Sequence, residues 1–293
     1  MNSHIATIAV AFLARGADVS WHASCERFLG SYRRCLPGVE HSLYVIFKGF
    51  PDASTLDEAK KLFSNVRYKP VFTGDDSFDI GAYIEWANQI DEEIICVFNT
   101  ASEILAEDWL RKLAVNLALP NVGLVGATGS YETLNEINQS FPVFPNAHIR
   151  SNAFMIDRKT FCHITKGQVV REKLDALYFE SGPQSMTRQI LTMGREILLV
   201  GRNGRGYSPQ WWPTSDTLRL GTQSNLLVAD NQTRNFTALR WPEKREFALR
   251  TWGYYIQEED LMFKTQSVRG RFWPLFRSQR VSVDLHENLS QTK

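Results

Sequence analysis

Short, continuous apolar runs that alternate with helical segments constrain the fold of this chain more than any other feature of its sequence. Runs of β-branched and aromatic residues predict buried strands at 5–13, 43–47, 66–72, 93–98 and 122–127. Between them, apolar residues spaced along one helix face predict helices at 19–35, 54–63, 80–90 and 105–119. This alternation predicts crossover units and a mainly parallel sheet. Because the strand runs show no polar alternation, we expect helices to cover both faces of the sheet.

The second half of the chain is less regular. Apolar runs predict strands at 153–156, 197–200 and 226–229, and helices at 159–164 and 184–193. We therefore predict an α/β fold, with a mostly parallel sheet sandwiched by helices and an irregular C-terminal extension. The 293 residues fit one main domain over 1–240, with a ligand-binding half at about 1–130 and a second half at about 131–240. Residues 241–293 are predicted to be peripheral or partly disordered.

Charge and cysteine content exclude several classes of protein. The net charge is +1, so the chain lacks the basic excess of a nucleic-acid-binding domain. The four cysteines have no metal-ligand spacing, which favours free thiols in a reducing compartment. The first residues do not resemble a signal peptide, and no apolar run approaches the ~18 residues of a membrane helix. We therefore expect a cytoplasmic protein.

Polar residues follow three of the predicted strands at the point where each strand ends. Ligands of open α/β sheets bind beyond the carboxyl ends of the strands. The candidate ligand contacts in these loops are Ala14, Arg15, Asp75, Asp76, Asp79, Asn99, Thr100 and Ser102. Turn formation also explains the adjacent acids at 75–76, and helix capping also explains Asp79 and Ser102. Because no glycine-rich turn follows the first strand, a nicotinamide-dependent oxidoreductase is the least favoured interpretation.

The segments FDIGAY (78–83) and ICVFNTASEILAEDWLRKL (95–113) carry a family resemblance. They resemble the nucleotide-sugar half of GT-A glycosyltransferases, in which a hydrophobic strand ends in a carboxylate motif and the next helix begins with an acidic-Trp-Leu turn. HIRSNAFMI (148–156) looks like the central strand of that family, beside its acceptor wall. The similarity looks closest to bacterial proteins of cell-surface polysaccharide synthesis, including the rhamnan-synthesis type. It implies a GT-A-like, Rossmann-like fold.

The resemblance also implies an activity and a set of site residues. The activity is transfer of a sugar from a nucleotide-sugar donor to a saccharide or lipid-linked acceptor in cell-surface polysaccharide synthesis. The implied donor-binding residues are Ala14, Arg15, Asp76, Asp79, Asn99, Thr100 and Ser102. The implied acceptor or diphosphate side holds His148, Arg150 and Asn152.

Two further features of the second half fit a sugar transferase. An inverting transfer needs a carboxylate that takes the proton of the acceptor hydroxyl, and Glu180 is the best candidate for this general base. The adjacent indole rings of Trp211 and Trp212 could stack against a sugar face. Burial of at least one of these rings in the core is the competing interpretation.

The chain departs from the family at the end of the fourth predicted strand. Asn99, Thr100 and Ala101 stand where the family has its Asp-x-Asp motif, and neutral oxygens bind Mg²⁺ or Mn²⁺ far less well than carboxylates. Three explanations stay open. A metal could be held by the acids at 75–76, the leaving diphosphate could be neutralised by arginines such as Arg15, Arg150 or Arg205, or the chain could be a non-catalytic carbohydrate- or nucleotide-binding protein.

The C-terminal segment 268–281 interleaves arginines with aromatic residues. Such a composition suits peripheral contact with the inner, anionic face of a membrane. Packing on the domain with a solvated basic side is the alternative.

Overall fold

Twelve strands lie within residues 6–256, the part of the chain that the computed structural model describes. In chain order they are β1 (Ile8–Arg15), β2 (Ser42–Lys48), β3 (Lys69–Thr73), β4 (Ile94–Phe98), β5 (Glu103–Ile104), β6 (Val122–Gly126), β7 (Gly129–Ser130), β8 (His148–Ile149), β9 (Ala153–Asp157), β10 (Glu196–Val200), β11 (Gly206–Tyr207) and β12 (Val228–Ala229).

Helices connect most of these strands. They are α1 (Trp21–Arg34), α2 (Ala53–Leu62), α3 (Asp79–Ala87), α4 (Trp109–Leu117), α5 (Arg158–Ile164), α6 (Lys173–Ser181), α7 (Met186–Thr192), α8 (Asn231–Ala238) and α9 (Trp241–Trp252). Short 3₁₀ helices lie at Pro209–Thr214 and Gly253–Tyr255.

Eight strands form one sheet in the order β11-β10-β6-β9-β4-β1-β2-β3. The strands β1 to β4 run parallel to one another, and β10 runs parallel to β6. The strand β9 is antiparallel to both β4 and β6, and β11 is antiparallel to β10. The predicted α/β architecture with a mostly parallel sheet is therefore confirmed.

The two faces of the sheet bury separate apolar layers. In β1, the residues Ala9, Ala11 and Leu13 pack with α3, α5, α6, α7 and α9. The intervening residues Val10 and Phe12 pack on the opposite face with α1, α2 and α4. Because both faces are covered, every position of such a strand is apolar, which is why its sequence shows no alternation.

Two local predictions on helix starts are wrong. The helix predicted at 105–119 begins only at Trp109, because Glu103 and Ile104 pair with β12 and Asp108 adopts a left-handed backbone with φ of 57°. The helix predicted from residue 54 begins at Ala53, and its N-cap is Asp52, whose side chain accepts a hydrogen bond of 2.8 Å from the Thr55 N–H.

The helix α9 lies beyond the boundary predicted at residue 240. Its Ala248 and Trp252 are buried in the same apolar layer as α3 and α7. The basic and aromatic segment at 268–281 lies outside the described residues. Within residues 6–256, no helix is long and apolar enough to cross a membrane.

Candidate functional site

Charged side chains converge where β1, β2 and β3 end. Arg15 is the last residue of β1, and its guanidinium donates to both carboxylate oxygens of Asp75, at 3.0 and 2.9 Å. Lys48 is the last residue of β2, and its ammonium lies 3.0 Å from Asp75 and 2.9 Å from the Gly74 carbonyl oxygen. A second acid, Asp18, accepts from Arg15 at 2.7 Å. These four charges form one network at the carboxyl edge of the sheet.

Asp75 lies between two cations, and this decides its protonation state. Burial alone raises the pKa of Asp75, but hydrogen bonds and charge attraction from Arg15 and Lys48 outweigh that effect and hold the pKa below its usual value. Asp75 is therefore an anion whose oxygens are already engaged. This engagement argues against Asp75 as a metal ligand.

A glycine makes this network sterically accessible. Gly49 follows β2 with φ of 62°, and a Cβ atom at this position would lie 2.7 Å from the Asp75 carboxyl carbon. Any other residue would be strained in this conformation and would push Asp75 away from its cations. The close approach of Asp75 to Arg15 and Lys48 therefore depends on a glycine at position 49.

Asp79 begins α3 next to the same network. Desolvation, followed by repulsion from Asp18, raises the pKa of Asp79 to about 6, although Arg15 and Lys48 partly oppose the shift. One helical turn later, the buried Tyr83 hydroxyl has no hydrogen-bond partner within residues 6–256. Asp79 is thus a carboxyl group with a raised pKa next to the charged network.

The remaining predicted donor contacts near β1 and β3 differ in accessibility. The side chain of Ala14 is buried in the apolar layer below α1, so only its backbone faces the strand end. Asp76 is exposed in the loop after β3. The structure therefore brings Arg15 and Asp79 together, keeps Asp76 in the same loop and buries the Ala14 side chain.

The turn after β4 uses its polar groups internally. The Asn99 side-chain oxygen accepts from the Ala101 N–H at 3.2 Å and from the Ser102 hydroxyl at 2.9 Å. Ser102 is fully buried and also donates to the Asn152 carbonyl. Ser102 was predicted to contact a ligand, and this prediction is wrong because its hydroxyl holds the turn together. Thr100 stays partly exposed.

The residues of this turn do not fit a divalent metal ion. The one amide oxygen available, on Asn99, already accepts two hydrogen bonds, and hard divalent cations prefer carboxylate oxygens. Within residues 6–256, no three His, Cys, Asp or Glu side chains are grouped as metal ligands. Instead, the Arg234 guanidinium from α8 donates to the Ala101 carbonyl at 2.8 Å.

Beside the start of β9, Glu180 is anchored by one carboxylate oxygen. Its Oε2 accepts from the Ser151 N–H at 2.6 Å and from the Ser151 hydroxyl. The second oxygen, Oε1, has no hydrogen-bond donor within the described part of the chain. Glu180 lies in the last turn of α6, and Ser151 lies just before β9, so the carboxylate is fixed between a helix end and a strand start.

Arg150 forms a buried ion pair beside this carboxylate. Its guanidinium lies 2.9 Å from Asp230, which is fully buried, while 15% of the Arg150 side chain is exposed. Burial alone raises the pKa of Asp230, but attraction to Arg150 and hydrogen bonds from Thr233 hold it below its ordinary value. Asp230 also caps α8, accepting from the Thr233 N–H at 2.8 Å.

His148 and Asn152 flank the same strand start and are both buried. Burial lowers the pKa of His148, so its ring is neutral at pH 7. Its Nδ1 lies 2.7 Å from the Asn146 carbonyl, and a carbonyl only accepts, so Nδ1 carries the proton. The Asn152 oxygen accepts from Thr128 at 2.6 Å, whereas its amide nitrogen has no partner within residues 6–256.

The two adjacent tryptophans have opposite surroundings. Trp212 is fully buried, and its indole N–H donates to the Tyr207 carbonyl at 2.8 Å. The prediction that Trp212 stacks on a sugar is therefore wrong, because both faces of its ring are covered. Trp211 is 55% exposed and keeps an open ring face.

Sequence reasoning missed Lys48 and Arg234. Lys48 had a usable signal, because a lone lysine that ends a buried apolar strand must find a partner at the sheet edge. Arg234 had no such signal, because its contact with residue 101 joins parts of the chain 133 positions apart.

Arg205, a candidate from the sequence to neutralise the leaving diphosphate, lies just before β11. This strand is four strands away from β4 in the sheet, which is about 19 Å at ~4.8 Å per strand.

Comparisons with known proteins returned structures rather than sequences. No protein-family model matches the sequence, and no curated protein matches it. A mannosyltransferase from Pyrobaculum calidifontis in complex with GDP-Man and Mn²⁺ is 12% identical, with a TM-score of 0.48 over 86% of this chain and 70% of that one. Glucosyl-3-phosphoglycerate synthase from Mycobacterium tuberculosis is 14% identical, with a TM-score of 0.37 over 53% of this chain.

A third solved structure belongs to a nucleotidyltransferase. It is the synthetase for CMP-2-keto-3-deoxy-manno-octonic acid complexed with CTP, at 11% identity and a TM-score of 0.42 over 65% of this chain and 88% of that one. The match to the mycobacterial synthase spans only 57% of that protein's chain.

Proposed function

We propose that this chain is a glycosyltransferase that moves a sugar from a nucleotide-sugar donor to an acceptor hydroxyl in cell-surface polysaccharide synthesis. One observation carries the proposal. A charged network at the ends of β1 to β3 shares one edge of the sheet with a carboxylate, Glu180, that is anchored by one oxygen only. Such an edge can hold a polar donor and place a proton acceptor beside it.

The donor side of the site comprises Arg15, Lys48, Asp75 and Asp79. Their side chains offer both hydrogen-bond donors and acceptors, as a nucleoside requires. Asp75 bridges Arg15 and Lys48, and Asp18 also accepts from Arg15, which keeps the network rigid. Rigid polar groups can position a donor before the transfer step.

Glu180 would act as the general base of an inverting transfer. Its Oε1 would accept the proton of the acceptor hydroxyl while that oxygen attacks the anomeric carbon of the sugar. The bond between the anomeric carbon and the phosphate oxygen breaks, and the nucleoside diphosphate leaves with the electron pair. The Ser151 N–H and hydroxyl hold Oε2, which fixes the direction of Oε1.

A second function is favoured by the Asn99 turn. The residues of this turn do not fit the divalent metal ion that assists departure of the leaving group. The same edge of the sheet could therefore bind a nucleotide or carbohydrate without catalysis. We keep this as the alternative function.

Glu180→Gln distinguishes the two functions. Gln keeps an oxygen that can accept from Ser151 but cannot take a proton, so turnover should fall about 10²–10⁴-fold. Binding of the donor should stay unchanged. The matched control is Glu196→Gln, an exposed residue at the start of β10. The assay is donor hydrolysis and transfer with a panel of nucleotide sugars, with and without Mn²⁺, alongside thermal shift with UDP, dTDP, GDP and CMP.

The results separate the alternatives directly. Turnover in the wild type that is lost in Glu180→Gln, with the thermal shift retained, supports the enzyme. A thermal shift without turnover for any donor supports the binding protein. Neither turnover nor a thermal shift with any nucleotide would reject both.

A further inference from the structure

A partly open cavity of about 830 Å³ is lined by α6, α8, α9, residues 132–141 and Arg219. Its walls are mainly apolar, with Leu174 and Leu177 from α6, Phe236 from α8 and Phe247 from α9. Binding pockets for small molecules commonly have volumes of about 300–1,000 Å³ and mostly apolar walls with a few polar groups. The cavity therefore has the size and lining of a ligand site.

The charged groups of this cavity are unbalanced. Among residues 6–256, its lining includes the cations Lys173, Arg219 and Arg250 but a single acid, Glu132, which leaves an excess of two positive charges. Glu132 is shared, since its carboxylate lies 2.8 Å from Arg219 and 3.5 Å from Arg250. The unneutralised positive charge favours an anionic ligand.

Arg219 is held rigidly at one wall. Arg219 is only 8% exposed. Its guanidinium donates to the Thr251 hydroxyl at 2.9 Å and lies 4.8 Å from the centre of the Phe247 ring. Burial lowers the pKa of Arg219; attraction to Glu132 partly opposes that effect, whereas repulsion from Arg150 and Arg250 adds to it. An anion bound here would relieve this repulsion.

The cavity adjoins the proposed general base. Leu177, which lines it, is three residues before Glu180 on α6, so the two side chains share one helix face. Glu132 in the cavity wall and Glu180 both act electrostatically on His148. A ligand in the cavity could therefore extend a hydroxyl toward Glu180.

We propose that this cavity binds the acceptor substrate and that the acceptor is an anionic amphiphile, a prenyl or alkyl chain whose head group carries a phosphate and the acceptor hydroxyl. The apolar walls hold the hydrocarbon chain, and Arg219 and Arg250 hold the phosphate. The role of this ligand as acceptor rests on the proposed glycosyl transfer, whereas binding of the amphiphile does not.

The test is calorimetric titration of the full-length protein with octyl phosphate, n-octanol and inorganic phosphate. Octyl phosphate should bind one to one, and each of the other two at least about tenfold more weakly, because each lacks one half of the recognition. Arg250→Gln should weaken octyl phosphate binding about tenfold. Its matched control is Arg245→Gln, exposed on the same helix and outside the cavity lining.

A second pair of variants tests the apolar wall. Leu174→Ala removes part of the wall and should weaken octyl phosphate but leave inorganic phosphate binding unchanged. Leu191→Ala, a similarly exposed leucine on α7, should have no effect.

Three outcomes would overturn the inference: no binding of octyl phosphate, equal binding of n-octanol or inorganic phosphate, or equal affinity in Arg250→Gln and Arg245→Gln. These outcomes are independent of the nucleotide experiments. Octyl phosphate binding without any nucleotide effect would reject glycosyl transfer alone. Nucleotide binding with no octyl phosphate binding would reject this inference alone.

Discussion

The ion pair between Arg150 and Asp230 offers the sharpest test of the energetics of this structure. Asp230→Asn keeps an oxygen that can cap α8 but removes the charge that faces Arg150. Removing one partner of a buried pair typically costs about 3–5 kcal/mol, because the remaining charge is left uncompensated. Since 15% of the Arg150 side chain reaches solvent, we expect the lower end, about 3 kcal/mol.

Two companion variants divide this cost into its parts. Asp230→Ala also removes the cap, which adds about 1 kcal/mol. Arg150→Met combined with Asp230→Asn leaves no unpaired charge, so it should recover much of the loss. The coupling between the two sites should therefore exceed about 1 kcal/mol in a double-mutant cycle.

Urea unfolding followed by circular dichroism measures these free energies, and its pH dependence supplies an independent check. The pKa of Asp230 is depressed below the ordinary 3.8, so its stabilisation is present above that pH and is lost as the pH falls through the folded-state pKa. The gap between wild type and Asp230→Asn should therefore be full at pH 7 and shrink in acid. A cost of Asp230→Asn below 1 kcal/mol, or purely additive variants, would refute the reasoning.

Three further predictions follow from single side chains. Gly49→Ala should displace Asp75 from its ion pairs and abolish the thermal shift given by nucleotides; a normal shift would contradict this steric argument. The pKa of Asp79 is raised to about 6, so its ionisation destabilises the fold as pH rises from about 4 to 6. Asp79→Asn should therefore raise the urea midpoint at pH 7.5 but not at pH 4, and equal midpoints at pH 7.5 would count against it. Trp212→Ala should lower the free energy of unfolding by about 3–5 kcal/mol, as for other buried aromatics, whereas Trp211→Ala should change it by less than about 1 kcal/mol; similar costs would be inconsistent with their burial.

The strands of the sheet were predictable because their signal is local. From Ile8 to Ala14, β1 is apolar at every position, since both faces of the sheet are covered. The direction of β9 was not predictable in this way, because an apolar run looks the same in a parallel and an antiparallel strand. Pairing with β4 and β6 decided it.

The start of α4 shows how a distant contact overrides a local pattern. Apolar spacing continues back to residue 105, which favours a longer helix. Leu105 instead donates its N–H to the Leu227 carbonyl, more than 120 residues later, next to the pairing of β5 with β12. No window of local sequence contains both halves of that pairing.

The candidate site, like the fold, was predictable from the sequence only where its features are local. The sequence by itself determined the α/β class and the polar segments after the strands, with Arg15, Asp79 and Asn99, because strand and loop signals depend on neighbouring residues. Only the tertiary structure placed Asp75 between Arg15 and Lys48, fixed Glu180 on Ser151 and enclosed the cavity beside it. These contacts join segments far apart in the chain, and their energies depend on burial and distance, which a linear sequence does not display.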